Sequence, residues 1–203
     1  MSSVYPETPA TRDLQAEISA MNREFLALLI HPLADGRTRL LGLSPDVIDS
    51  LRRMSVAQLH DLATAPLLLA GFTRLPGMAR TDLQVLREVA ESHVPPEWTD
   101  CAQNFANRLL TSLWHYSRQP DGITGFCMGL DPVSTDALAS MDFTELCECA
   151  GATCASLHAR HADHPACWPD LVNSALQGRD EQLSVAHLSL IPLTVATQFA
   201  ARV

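Results

Sequence analysis

Apolar positions recur along this chain at helical spacing in short runs, and one of those runs is written twice. Leu14, Ile18, Met21, Phe25, Leu28 and Leu29 share one face of a helix expected from about Thr11 to His31, which Pro32 to Gly36 stop. The chain then restarts at Leu41-Gly-Leu-Ser-Pro-Asp-Val-Ile-Asp-Ser-Leu-Arg-Arg-Met-Ser-Val-Ala-Gln-Leu-His-Asp-Leu-Ala63. A shift of 87 positions carries this stretch onto Met128 to Ala150. Gly42 then falls on Gly129, Leu43 on Leu130, Pro45 on Pro132, Leu51 on Leu138, Met54 on Met141, Leu59 on Leu146 and Ala63 on Ala150. So many coincidences mark an internal repeat, which settles the organisation before any other reading.

Each copy predicts two short helices with a tight break. Ser44 and Asp131 are N-cap residues, and Pro45 and Pro132 occupy the first helical position, where a missing N–H costs nothing. Ser55 with Gln58, and Asp142 with Glu145, have the spacing of a capping box for the second helix. Further helices are expected at about Thr81–His93, Trp98–Arg118 and Glu181–Ala201. Gly178 should end the one before the last, and Pro192 should kink the last. That last helix is apolar almost all round, which predicts a core or subunit-interface helix rather than a membrane anchor, since His187, Ser189, Thr194, Thr197 and Gln198 dilute it. The paired prolines of Val94-Pro-Pro-Glu97 are the natural linker. The division read from these signals is a disordered residues 1–10, a first repeat over 11–94 and a second over 95–203.

The run Phe25-Leu-Ala-Leu-Leu29, then Arg39-Leu-Leu-Gly-Leu43, then Leu51-x-x-Met-Ser-x-x-Gln-Leu-x-x-Leu-Ala63 resembles the FlhD family, the flagellar master-regulator subunit and its relatives. The resemblance covers roughly residues 14 to 72, and a weaker version covers roughly 100 to 176. It implies an all-α fold and a dimeric transcription-regulator subunit. Family members are shorter chains with one copy. Two copies here therefore imply two tandem FlhD-like helical repeats packed as a pseudo-twofold fused dimer. The resemblance also implies a partner, a second FlhC-like subunit that contains zinc and supplies much of the DNA contact. The best-known members carry a cysteine just before the aromatic that Phe72 matches. Here Ala70 and Gly71 stand there, so the family's disulfide link is not expected.

Composition narrows the function. The net charge is −9, and all 14 basic residues are Arg. Residues 1–100 hold nine Arg against 13 acids, and residues 101–203 hold five against 10, so neither half looks like a free-standing nucleic-acid binder. The two predicted second helices offer Gln58 and His60, or Thr144, Glu145 and Glu148, a poor set for reading base edges. Arg37, Arg39, Arg52 and Arg53 form a local basic group beside the first copy, the candidate DNA-phosphate contacts, with an ordinary solvated face as the alternative. DNA contact is thus expected only within a complex. The competing reading is a protein-interaction module, an anti-activator or adaptor that sequesters a regulator without touching DNA. Low charged content, 18%, suits a chain whose apolar surface meets a partner. Further homo-oligomerisation stays open.

All six Cys lie in the second half, and no hydrophobic leader opens the chain, so a cytoplasmic location with reduced thiols is expected. Cys147, Cys149 and Cys154, followed by His158, His161, His164 and Cys167, contain enough soft ligands for zinc. Yet a C-x-C pair on a helix diverges by about 200°, and the alternative is small core or surface residues. No cofactor is expected. No hydrolase, metalloprotease or nucleotide-binding motif occurs, so no enzymatic activity is expected.

Overall fold

A computed structural model describes residues 9–32, 41–73, 96–119, 122–150 and 153–200. The predicted helix at Thr81–His93, the linker residues Val94 and Pro95, and Arg37 and Arg39 lie outside the described residues.

The chain is mainly helical. α1 (Pro9–Leu29), α2 (Pro45–Arg52), α3 (Val56–Ala63) and strand β1 (Ala70–Phe72) come from the first half. α4 (Pro96–Ser117), α5 (Gly122–Met128), α6 (Pro132–Ser140), α7 (Phe143–Ala150), a 3-10 turn (Thr153–Ser156), β2 (Leu157–Ala159), α8 (Cys167–Gln177) and α9 (Asp180–Ala200) follow. α1 starts at Pro9, inside the stretch expected to be disordered.

Local chemistry explains where these helices start. Ser55 Oγ accepts from the Gln58 backbone while Gln58 Oε1 accepts from the Ser55 backbone, closing a capping box. Asp142 and Glu145 make the same reciprocal pair at 2.9 Å each. Asp131 caps α6 by accepting from Val133 and Ser134. Ser44, by contrast, holds the extended N-cap conformation without a side-chain bond, so Pro45 and the first-turn carboxylate of Asp46 support the start of α2. Gly42 and Gly129, which precede these caps, adopt φ of +85° and +79°. Only glycine takes that left-handed conformation without strain. Gly178 ends α8 the same way, at φ +61°.

Two three-residue strands accompany the helices. β1 and β2 pair antiparallel with Ala70 opposite Ala159, Gly71 opposite His158 and Phe72 opposite Leu157. Two flanking bonds extend the ladder: Thr73 N–H donates to Ser156 O, and Arg160 N–H donates to Leu69 O, both at 2.8 Å.

One continuous core joins the halves. Phe25 of α1 stacks on Phe105 of α4, with ring centroids 5.7 Å apart, and meets the edge of Trp168 of α8 at 6.4 Å. Polar contacts rim this seam: Glu17 accepts from Ser112 Oγ and the Tyr116 hydroxyl, and Glu24 pairs with Arg108. α8 packs on α2 and α3 of the first half, where Gln58 Nε2 donates to Leu176 O at 3.1 Å. Asn22, fully buried in α1, donates to Ala63 O and Leu67 O and accepts from Leu69 N–H. It thereby fixes the chain leading into β1. Gln103 of α4 plays a related part, donating to Ala150 O at the end of α7.

α9 buries Ala186, His187, Leu190 and Thr194 and lies along α8. Its other side leaves Val185 and Leu188 68% and 59% exposed, so the all-round apolar pattern is only half absorbed by the core. Among the described residues no helix is long and apolar enough to cross a membrane.

Candidate functional site

A cleft of about 880 Å³ opens where the two halves meet. Its floor is the β1–β2 ribbon, contributing Gly71, Phe72, His158 and Ala159. The two left-handed glycines, Gly42 and Gly129, flank it, and the C-terminal turns of α9 close one side with Thr197 and Gln198. Gln198 Nε2 donates to Leu130 O at 2.9 Å and ties α9 to the start of α6.

Arg160 dominates the cleft. Its backbone is held on both sides: the N–H by Leu69 O, and the carbonyl by the Trp168 indole N–H at 2.8 Å. Its guanidinium donates from Nη1 to Leu68 O at 3.1 Å and from Nη2 to Thr194 Oγ1 at 3.2 Å. The head lies flat against Gly129, where an added Cβ would stand 2.5 Å from Cζ and Nη1. Glycine is favoured at 129 by its φ of +79°, and the guanidinium occupies the space that a Cβ would take. Among the described residues no carboxylate forms an ion pair with Arg160. Burial lowers its pKa to about 10, which still leaves it a cation at neutral pH.

Two histidines stand beside it. His161 is a non-glycine residue at φ +56°, a conformation that costs about 1 kcal/mol and clusters at functional positions. Its Nε2 lies 3.1 Å from Thr194 Oγ1. Burial and then the Arg160 charge push its pKa down to about 4. Burial and Arg160 also lower His158, whose Nδ1 is buried without a hydrogen-bond partner. Both rings are therefore neutral at pH 7. Asp131 also lines the cleft. Burial raises its pKa, but the Ser134 side chain and the Ser134 and Val133 backbones outweigh that and hold it low, so its charge is spent on capping α6.

These shifts give a testable pH dependence. His158, His161 and His187 all bind protons less readily folded than unfolded. Stability is complete above the ordinary histidine value of 6.5 and falls as the pH drops from there towards 4. Thermal melts at pH 7.5 and pH 5 should show the acid loss, and His161→Gln should shrink it. An equal loss in that variant would contradict the assignment.

Of the residues singled out from sequence, His158 and His161 line the cleft, as candidates for zinc rather than for this role, and Arg52 and Arg53 lie away from it. Arg52 and Arg53 are exposed at the end of α2; Arg52 stands 4.0 Å from Asp49, and Arg53 Nη2 donates to Ser50 Oγ at 2.9 Å. Arg37 and Arg39 are outside the described residues, so half of the expected basic group has no described geometry. The cysteine-histidine run does not converge either. Cys147 is exposed whereas Cys149 and Cys154 are half-buried, and no three His, Cys, Asp or Glu among the described residues are placed to hold a metal ion. Burial raises the Cys154 and Cys167 thiols to about 11, so neither is a ready thiolate.

Sequence reasoning passed over Arg160 and Thr194. A signal was present: in the repeat register Arg160 takes the place of Thr73, so a small polar residue in one copy is a cation in the other. Comparison of the chain with protein-family models, with curated proteins and with solved structures gave no match in any of the three.

Proposed function

We propose that the chain is a fused, FlhD-like pseudo-dimer that serves as a transcription-regulator subunit, acting beside an FlhC-like DNA-binding partner and contributing protein surface rather than base contacts. One observation carries the architectural part. The shift of 87 maps β1 onto β2, α3 onto α7, and the starts of α1 and α2 onto those of α4 and α6. The ribbon pairs Gly71 with its own counterpart His158, Ala70 with the counterpart of Phe72, and Phe72 with the counterpart of Ala70. The two flanking bonds, Thr73 to Ser156 and Arg160 to Leu69, exchange into each other under the same shift. A twofold axis through Gly71 and His158 accounts for all of these pairings, as in a dimer whose subunits share a sheet.

The regulatory part draws on the resemblance and on what the paired helices expose. α3 presents Val56, Ala57, His60 and Asp61, and α7 presents Phe143, Thr144, Glu145, Cys147 and Glu148. Neither set carries an Arg for a phosphate or a guanine edge. The matched residues Val56 and Phe143 are 85% and 65% exposed. Such apolar knobs also favour the second reading, an adaptor or anti-activator that binds a regulator without DNA.

A salt-dependent mobility shift decides between them. Promoter DNA is mixed with the purified chain, with the regulator that co-purifies with it, and with both. Retardation only by the pair supports the subunit reading, with Arg52→Ala/Arg53→Ala weakening it if α2 faces the backbone. Retardation by the regulator alone, lost on adding the chain, supports the sequestering reading. Retardation by the chain alone would refute both.

A further inference from the structure

We propose that the cleft between the halves is a binding site for a small organic monoanion, a carboxylate carried on an apolar body, with the guanidinium of Arg160 as its anchor. The site does not depend on the regulatory reading; it needs only the cleft and its lining.

Arg160 is half-buried, and drawing a charge even partly out of water without a counter-ion is costly. Arg160 has no carboxylate partner among the described residues, and its two side-chain bonds go to a neutral carbonyl and a neutral hydroxyl. A guanidinium carries five N–H donors in a planar fork that suits an oxyanion. If its task were only to strut Leu68 O to Thr194, a neutral amide would serve without the cost of partly desolvating a charge. The surroundings are built around the head instead. Gly129 is open on the side where any Cβ would collide with it, and His161 holds a left-handed backbone beside it.

The lining selects the ligand class. Phe72, Leu113, Met128 and Leu130 supply apolar walls, and the Ser134 and Thr197 hydroxyls already donate to Asp131 and to the α9 backbone, which leaves Arg160 as the donor for the anion. The cleft's volume falls in the range of small-molecule sites. Arg160 is the cation of the cleft and His158 and His161 are neutral, so its fork can hold one oxyanion at most. Asp131 and Asp163 also line the cleft, and their carboxylates disfavour a dianion such as phosphate.

The full chain is titrated by isothermal calorimetry with benzoate, with benzyl alcohol as the neutral match, and with inorganic phosphate. Thermal melts run in parallel. We expect benzoate to bind and raise Tm, with the other two at least about tenfold weaker. Arg160→Gln should fold and lose benzoate affinity by about tenfold or more. Thr197→Phe, at an exposed wall position, keeps Arg160 and fills the cleft, so it should weaken benzoate even if Arg160→Gln fails to fold. No heat and no Tm change with benzoate would overturn the proposal, as would equal binding by Thr197→Phe or equal affinity for phosphate or benzyl alcohol.

Discussion

Replacing Phe25 with Ala is expected to lower the unfolding free energy by about 4 kcal/mol and to shift the unfolding of the opposite half by the same amount. Phe25 is fully buried where α1, α4 and α8 meet. Truncation removes its apolar burial, opens a cavity, and deletes two aromatic contacts that add about 1 kcal/mol between them. The chain supplies its own reporter. All three tryptophans, Trp98, Trp114 and Trp168, lie in the second half, whereas Phe25 lies in the first. Urea denaturation followed by tryptophan fluorescence and by far-ultraviolet circular dichroism should therefore give coincident transitions, both displaced to lower urea. A fluorescence transition unmoved by the substitution would mean that the halves fold separately.

Asn22→Leu should cost a comparable amount, about 3 kcal/mol, although it makes α1 more apolar. The side chain satisfies three backbone groups at once, with bonds of 3.3, 3.0 and 2.8 Å to Ala63 O, Leu67 O and Leu69 N. Leucine fills similar volume but leaves these groups buried and unpaired, and each costs about 1 kcal/mol or more. The loss should concentrate on the segment entering β1. Amide exchange at Leu69 and Thr73 should accelerate more than at Ile18 and Leu26, which sit inside α1. A variant as stable as the parent would contradict the bridging role.

What could be read in advance was whatever short-range chemistry decides. Ser55 with Gln58 and Asp142 with Glu145 fix helix starts within three residues, and Gly178 fixes an end. The ribbon was hidden for the opposite reason. Ala70-Gly-Phe72 and Leu157-His-Ala159 hold no β-branched residue and are too short to show alternation. They become strands only because each finds the other across the seam. α5 escaped notice because it begins at Gly122 and contains Gly125, both poor helix formers. Within α3, Leu62 and Ala63 are fully buried and Leu59 packs half-buried against the core. The candidate site was the least legible. A cluster of Arg in sequence drew attention to α2, where Arg52 sits favourably at a helix C-terminus. The cation that matters in the cleft is solitary in sequence, and only the fold brings Thr194 and Gly129 to it.

The proposed axis through Gly71 and His158 is tested most directly by cross-strand proton contacts in solution. Hydrogen-bonded and closely approached pairs alternate along an antiparallel ribbon. The bonds at 69/160 and 73/156 therefore leave Ala70/Ala159 and Phe72/Leu157 as the close pairs. Strong nuclear Overhauser contacts between the α-protons of Ala70 and Ala159, and of Phe72 and Leu157, are the predicted result. Contacts displaced by one or more residues, or none between these segments, would contradict it, because no rotation would then exchange the two repeats.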